Sequence, residues 1–349
     1  MIIDSIWRFI SYDIGIDLGT ANTLVHLFGK GIVVREPSMV AREKKGKKIL
    51  AVGEKAKKMV GKTPEEIEAV KPLEGGVVAD FDAAEAMLSF HIKTVHKNYG
   101  SFYKLPRPRV VVGIPSGVTE VERRAVQDAA LAAGARKAIL VEEPMAAALG
   151  ADLPIEDPEG QFLIDMGGGT TEIAVISLGG IVVERCLRVA GDEFDKAIVN
   201  FLRLKHGLYI GLPTAEEIKI SIGSAVPFVK KKQFVVRGRS MEKGLPQSVK
   251  VTSVEVREAL GPVIQQIVRA VSEVLEETPP ELVADILKNG IVMAGGGSLL
   301  YGIDKVIAET TKMPVWVADD PLTCVVRGTA KVLEDERLLE KVRVVGGLK

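Results

Sequence analysis

Apolar positions along the chain fall into short runs, and two of the runs are built alike. Ile14 and Ile16 lead into a glycine turn that Leu24 and Val25 leave, and Phe162 and Leu163 lead into one that Ile173, Val175 and Ile176 leave. Each pattern predicts strand, glycine turn, strand: a β-hairpin whose tip carries an acid and several bare backbone N–H groups. Ile16-Asp17-Leu18-Gly19 followed by Thr20-Ala21-Asn22-Thr23 parallels Ile164-Asp165-Met166-Gly167 followed by Gly168-Gly169-Thr170-Thr171. The copies lie about one domain length apart. Two related halves facing each other would set both tips across one cleft.

Further α/β units surround the tips. The apolar run 109–114 predicts a buried strand that ends in Pro115-Ser116-Gly117. Thr119 and Glu122 then form a capping-box pattern before a helix running to about Ala133, with Gly134 placed to stop it. A strand at 138–141 leads into Glu142-Glu143-Pro144 and a small-residue helix over 145–150. Near the end come a strand at 290–294, the turn Gly295-Gly296-Gly297, and a helix expected from about Ser298 to Thr310. Thr214, with Glu217, predicts another capped helix start. The alternation predicts an α/β fold of mixed sheets with helices on both faces.

Two stretches interrupt this framework, one over about 42–76 and one within about 194–258. Their basic runs, residues 42–48, Lys230-Lys231-Lys232 and Arg237-Gly238-Arg239, read as exposed hairpin-turn residues. Neither interleaves the aromatics on which bases stack, so no nucleic-acid partner is expected. The resulting division is a first domain at 1–157, a second at 158–327, and a return to the first over 328–349.

Composition narrows the class. The chain has 349 residues, 47% hydrophobic and 26% charged, the balance of a globular protein with room for two cores. No apolar run approaches the roughly 20 residues of a transmembrane helix. The N-terminal stretch, interrupted by Asp4 and Arg8, does not read as a secretory signal, so a cytoplasmic protein is expected. Cys186 and Cys324 lack metal-ligand spacing and read as reduced, packed thiols. Lys plus Arg and Asp plus Glu both number 46, so any anionic partner must be held by a local patch.

The paired tips carry the chemistry. Glycine turns with converging amides make nests for phosphate oxygens. Neither turn is a Walker A loop, because no Gly-Lys-Ser/Thr follows, and neither opens a helix as a Rossmann fingerprint must. Asp17 and Asp165, one behind each turn, suit a hydrated Mg²⁺ held near phosphates through water. Glu143, at a strand end before Pro144, is placed to orient or deprotonate an attacking water, and Thr170 could hold the same water. At the adenosine end the signals are Glu216 and Lys219 on one helix and the turn running from Gly295 to Ser298.

These turns resemble the phosphate and adenosine motifs of the actin, Hsp70 and sugar-kinase superfamily. Within it, Asp17 to Thr23, Val121-Glu122-Arg123-Arg124-Ala125, Ala190-Gly191-Asp192-Glu193, Glu143-Pro144-Met145-Ala146-Ala147-Ala148 and Thr278-Pro279-Pro280-Glu281-Leu282 are similar to the MreB family. The resemblance runs from about Asp13 to Leu333. It implies a four-subdomain actin-like fold that polymerises with ATP under a membrane, guides cell-wall synthesis and cell shape, and slowly turns ATP into ADP. It carries nucleotide contacts over to Thr20, Ala21 and Asn22; to Gly168, Gly169 and Thr170; to Glu216, Glu217, Ile218 and Lys219; and to Gly295, Gly296, Gly297 and Ser298. It gives Glu143 and Thr170 the attacking water. Glu217 stands where the family often has a basic residue.

The same resemblance makes the chain its own partner in a polymer and adds membrane-bound cell-wall synthesis proteins. Two features suit an anionic inner-membrane surface. On a helical wheel Ile3, Ile6, Trp7, Phe9 and Ile10 share one side, a short amphipathic helix able to lie in the interface. Phe102, Tyr103 and Leu105 form an apolar loop ringed by Lys97, Lys104, Arg107 and Arg109. Two other readings of the superfamily are a small-molecule, sugar-type kinase, which would need a further carboxylate to deprotonate a substrate hydroxyl, and an Hsp70-like chaperone. The chaperone would need a peptide-binding domain for which the chain to Lys349 is expected to leave no room.

Overall fold

The computed structural model describes residues 11–99 and 107–344. Its framework is one five-stranded sheet built twice. In the first, Lys137–Glu142 and Arg109–Ile114 run parallel to Ile14–Leu18, which pairs antiparallel with Asn22–Leu27 and that in turn with Gly31–Pro37. In the second, Val315–Val317 and Ile291–Ala294 run parallel to Gln161–Met166, followed by antiparallel Thr171–Ser177 and Gly180–Leu187. Order and sense are the same. The inner strands Arg109–Ile114 and Gln161–Met166 are buried at every position, as expected of strands in a sheet covered on both faces.

This duplication places the site. The register sets Asp17 opposite Leu24 and Gly113, and Asp165 opposite Glu172 and Ala294, so the two acids hold matching positions near the ends of matching strands.

The helices that follow the last strand of each sheet, Glu143–Gly150 and Cys324–Glu334, pack directly on one another. Two glycines permit the approach. A Cβ on Gly328 would overlap the Ala146 carbonyl oxygen, and one on Gly150 would overlap that of Cys324. Alanine normally improves a helix interior by about 1 kcal/mol over glycine. Here the sign reverses: Gly328→Ala is expected to destabilise by about 1–3 kcal/mol through overpacking, read as a lower urea midpoint. A raised midpoint would show that the helices do not meet this closely.

Small sheets extend each half. Val40–Glu43 lies between Ile49–Val52 and Ile67–Val70, and Gln233–Ser240 lies between Leu208–Tyr209 and Pro246–Thr252. The basic run 42–48 spans the turn between strands, whereas Arg237-Gly238-Arg239 lies inside a strand and Lys230-Lys231-Lys232 precedes it. The turn of that hairpin is 241–245 instead. Near the end of the described chain Val344 donates to the Leu140 carbonyl (2.9 Å), against the first sheet.

Other boundaries also moved. The Thr119 capping box forms as expected, before Glu120–Ala132. Thr214, however, is no cap: the helix is Leu212–Ile222 with Gly211 at its N-cap, because Pro213 fits the first turn, where its missing N–H costs nothing. The expected helix from Ser298 is a short 3₁₀ turn, Gly296–Leu299, then Ile303–Thr311. The break falls at Gly302, held at φ 77° with Val226 packed where a side chain would point. Among the described residues no helix is long and apolar enough to cross a membrane. Ile3, Ile6, Trp7, Phe9, Ile10, Phe102, Tyr103 and Leu105 lie outside the described residues.

Candidate functional site

The hairpin turns at 19–22 and 167–170 meet face to face. A Cβ on Gly168 would lie 2.5 Å from that of Ala21, and one on Gly169 would lie 2.5 Å from Thr20 Oγ1. Only glycine allows backbone to approach backbone this closely. The second turn is closed by Gly167 N–H donating to the Thr170 carbonyl (2.8 Å), and the first is held by Ser38, whose hydroxyl donates to the Gly19 carbonyl (2.5 Å). Gly76, in a glycine pair with positive φ, donates to Thr20 Oγ1 (3.0 Å) and completes the contact.

Both turns line one cavity of about 500 Å³, the size of a small-molecule site. Asp17, Asp165, Glu143, Thr20, Ala21, Asn22, Gly168, Gly169 and Thr170 are on its wall. Further out it is lined by Glu216 and Lys219 on one side and by Gly295, Gly296 and Gly297 on the other. Three residues assigned from sequence are not on the wall. Glu217 is exposed and Ile218 fully buried, while residues 216, 219, 220, 221 and 223 are the ones of this helix and its end that line the cavity. Ser298 is buried and its hydroxyl donates to the Gly295 carbonyl (2.6 Å), which braces the glycine turn.

The floor of the cavity is strongly acidic. Burial, and then the neighbouring Asp165, push the Asp17 carboxyl up to about 8, and burial pushes Asp165 up to about 7. Glu143, 9% exposed, is held well above the usual carboxylate range by burial and then by Glu172, Asp17 and Asp165. Carboxyls crowded this way favour a cation among them. Among the described residues no group of three or more His, Cys, Asp or Glu could ligate a metal directly. Two neighbouring carboxyls without a full ligand shell suit Mg²⁺, which keeps most of its water and is commonly shared with phosphate oxygens.

Glu143 stands in the first turn of Glu143–Gly150, with Pro144 fixing the chain's entry into the helix. A Cβ on Gly113 would come 3.3 Å from Glu143 Cγ, so the opposing strand leaves room for this acid. Glu172 was not anticipated from the sequence. It is 1% exposed in a strand that is otherwise buried throughout, and its Oε1 accepts from the Ser116 amide (2.7 Å), a bond from one sheet's half to the other's. The signal was a lone glutamate in an apolar run, Thr171-Glu172-Ile173-Ala174-Val175. Its carboxyl too is pushed well up by burial and then by Asp165.

At the outer end the ammonium of Lys219 is taken up by Asp195 Oδ1 (2.9 Å) and the Gly191 carbonyl (2.9 Å). Gly191 begins Gly191–His206, whose first amides donate to the carbonyls of Gly167 (3.3 Å) and Gly168 (2.8 Å). That contact fixes the second phosphate-type turn against a helix start.

The arrangement has close counterparts. The family model described as MreB/Mbl protein matches residues 11–341. The cell shape-determining protein MreB of Escherichia coli strain K12 is 50% identical over 328 residues, covering 93% of this chain and 94% of that relative. The cell shape-determining protein Mbl of Bacillus subtilis strain 168 is 47% identical over 329 residues, 94% of this chain and 98% of that relative. The crystal structure of MreB5 of Spiroplasma citri bound to ADP superposes with a TM-score of 0.88 at 41% identity, covering 95% of this chain and 98% of that one. Its AMPPNP-bound counterpart gives 0.87 at 40% identity.

Proposed function

Since the chain belongs to the MreB/Mbl family, with the actin-like fold, we propose that it is a cytoskeletal protein that binds ATP, assembles into filaments and determines cell shape. The observation that carries this reading is the contact of two like-built glycine turns, one from each duplicated sheet, with an aspartate behind each. Turns of this kind bind phosphate oxygens from opposite sides. The ADP and AMPPNP complexes of the related MreB5 support adenine nucleotide as the ligand. The sugar-type kinase is not favoured, because similarity to shape-determining proteins extends over nearly the whole chain.

In this reading Thr20, Ala21, Asn22, Gly168 and Gly169 hold the phosphates, and Glu216, Lys219 and the Gly295–Gly297 turn hold the adenosine. Mg²⁺ held through water by Asp17 and Asp165 would supply charge neutralisation at the phosphates. Glu143 takes a proton from, or orients, the attacking water, and Thr170 positions that water through its hydroxyl. Hydrolysis is slow and serves polymer turnover. Domains at 1–157 and 158–327, with a return over 328–349, close around the nucleotide.

Assembly occurs at the inner face of the membrane, through the apolar residues of the N-terminal segment and of the 101–106 loop, alongside membrane-bound cell-wall synthesis proteins. Each contact is small, and many subunits in one filament make attachment stable. Electron microscopy of the purified protein with ATP and anionic liposomes is expected to show straight filaments lying on lipid. Absence of polymer in ATP would overturn the cytoskeletal reading, and filaments that ignore the liposomes would overturn its membrane part. A sugar panel with ATP is expected to yield no phosphorylated sugar.

A further inference from the structure

Two ion pairs join the first half of the chain to the second beside the cavity, one ending on a residue assigned to the nucleotide and the other at the helix start that braces the second glycine turn. Lys57, last residue of the short helix Glu54–Lys57, places Nζ 2.7 Å from Glu216 Oε2, with the side chains 37% and 32% exposed. Lys71, just past the strand Ile67–Val70, places Nζ 2.6 Å from Asp192 Oδ2, with 31% and 29% exposed. Both cations belong to the small unit built on the three-stranded sheet of the first half, Lys57 on its helix and Lys71 just past its last strand. Both anions stand on the second half: Glu216 on the cavity wall, and Asp192 next to Gly191 with its amide on the Gly168 carbonyl. Because Lys219 is already engaged by Asp195 and the Gly191 carbonyl, the cation on Glu216 is Lys57.

Among the described residues two further pairs join the halves, Arg35 to Asp320 (2.9 Å, side chains 54% and 47% exposed) and Arg188 to Glu122 (3.3 Å, 65% and 25% exposed). In both of these the arginine is more than half exposed, whereas no side chain of the Lys57 and Lys71 pairs exceeds 37%, and of the four pairs the Lys57 pair ends on a residue of the cavity wall itself.

We propose that Lys57, seconded by Lys71, is a positioning residue for nucleotide retention. Its ammonium draws the small sheet of the first half across Glu216, so that bound nucleotide leaves only when this pair opens. The inference rests on the nucleotide reading of the cavity and adds a regulated step to it. Release is gated by an ion pair whose strength depends on salt, and anything that displaces the small sheet, such as a neighbouring subunit, would alter exchange. Glu216 must be reached by both ribose and Lys57, and a carboxylate with two oxygens can serve both at once.

The test is stopped-flow release of 1,N6-etheno-ATP with Mg²⁺ from the full chain, chased with excess ATP below the concentration at which light scattering detects assembly. The label sits on the base, so the ribose facing Glu216 is unmodified. A partly exposed pair is worth up to ~1 kcal/mol, so Lys57→Ala is expected to release about three- to fivefold faster than wild type. Lys57→Arg should stay near wild type, and Lys57→Glu should be faster than Lys57→Ala. Raising salt from ~0.05 to ~0.5 M should speed wild-type release and speed that of Lys57→Ala less, because only the Lys71–Asp192 pair then remains to be screened. At the second pair Lys71→Asp should speed release, and adding Asp192→Lys should slow it again, which a merely structural defect would not allow. Binding by the wild type with the same release rate in Lys57→Ala overturns the gate alone. Failure of the wild type to bind etheno-ATP overturns both the gate and the nucleotide reading.

Discussion

Phosphate release from ATP is expected to fall by about 100-fold or more in Glu143→Ala, while nucleotide affinity changes little. The asymmetry follows from where the acid stands. Glu143 is on the cavity floor among carboxyls, away from Glu216, Lys219 and the Gly295–Gly297 turn at the adenosine end. Losing it removes a contact to water rather than to nucleotide. Burial and the nearby Glu172, Asp17 and Asp165 hold its carboxyl well above the usual range, so it binds a proton more readily than an exposed glutamate does. The ionised form does the work, so release should rise with pH through that raised pKa. Glu143→Gln separates the two roles: a glutamine can still orient water but cannot take its proton. Malachite-green detection of phosphate beside equilibrium etheno-ATP binding makes the measurement. Unchanged release in Glu143→Ala would remove the acid from the reaction.

The fold was legible where local chemistry decides the outcome. The paired hairpins are written as Asp17 to Thr23 and Asp165 to Thr171, and the duplication of whole sheets follows from them once Arg109–Ile114 and Ile291–Ala294 are placed as the parallel neighbours. The Thr119 capping box was equally readable, because cap and partner are three residues apart and need nothing else. Errors came where a local signal competed with another or with packing. Thr214 and Glu217 make a good capping pair on paper, but Pro213 is a better first-turn residue and moves the start of the helix. Once the helix is phased from Leu212, Glu217 and Ile218 turn off the cavity face and Ser221 turns onto it.

What could not be read was anything made by two distant segments. Lys57 is one lysine in a basic stretch until the fold sets it against Glu216, 2.7 Å away. Glu172 looks like a strand residue until Ser116, from the other half, donates to it. The approach of Gly150 and Gly328 depends on two helices far apart in sequence, and neither glycine has a local reason to be there. Ser298 shows the reverse case. Proximity to the glycine turn suggested a ligand contact, yet its hydroxyl serves the turn's own backbone. Sequence marks the chemistry that a strand end or turn carries by itself. Contacts across the cleft belong to the duplicated architecture.

Asp17→Asn and Asp165→Asn are expected to stabilise the nucleotide-free protein and to weaken its Mg²⁺-dependent binding of ATP by tenfold or more, on the order of 1.4 kcal/mol. These opposed effects come from one cause. In the empty cleft burial works against ionisation of both acids, and the Asp165 charge adds to the cost at Asp17. The folded values, about 8 and about 7, lie above the ordinary aspartate value of 3.8, so between these limits the folded state binds more protons than the unfolded chain. Stability contributed by these groups is therefore full at low pH and is lost as pH rises from about 4 toward 8. Between pH 6 and pH 8.5 the melting temperature of the free protein should fall, and each asparagine variant should flatten that fall by removing one ionising group. With Mg²⁺ and ATP present the wild-type curve should flatten too, since binding favours the ionised carboxyls that the empty cleft penalises. Thermal melts across pH, with and without Mg²⁺–ATP, test both halves. A free protein whose melting temperature holds steady over this range would mean the two carboxyls are already compensated. Asparagine variants that keep wild-type Mg²⁺ dependence would take the ion away from this pair of strand ends.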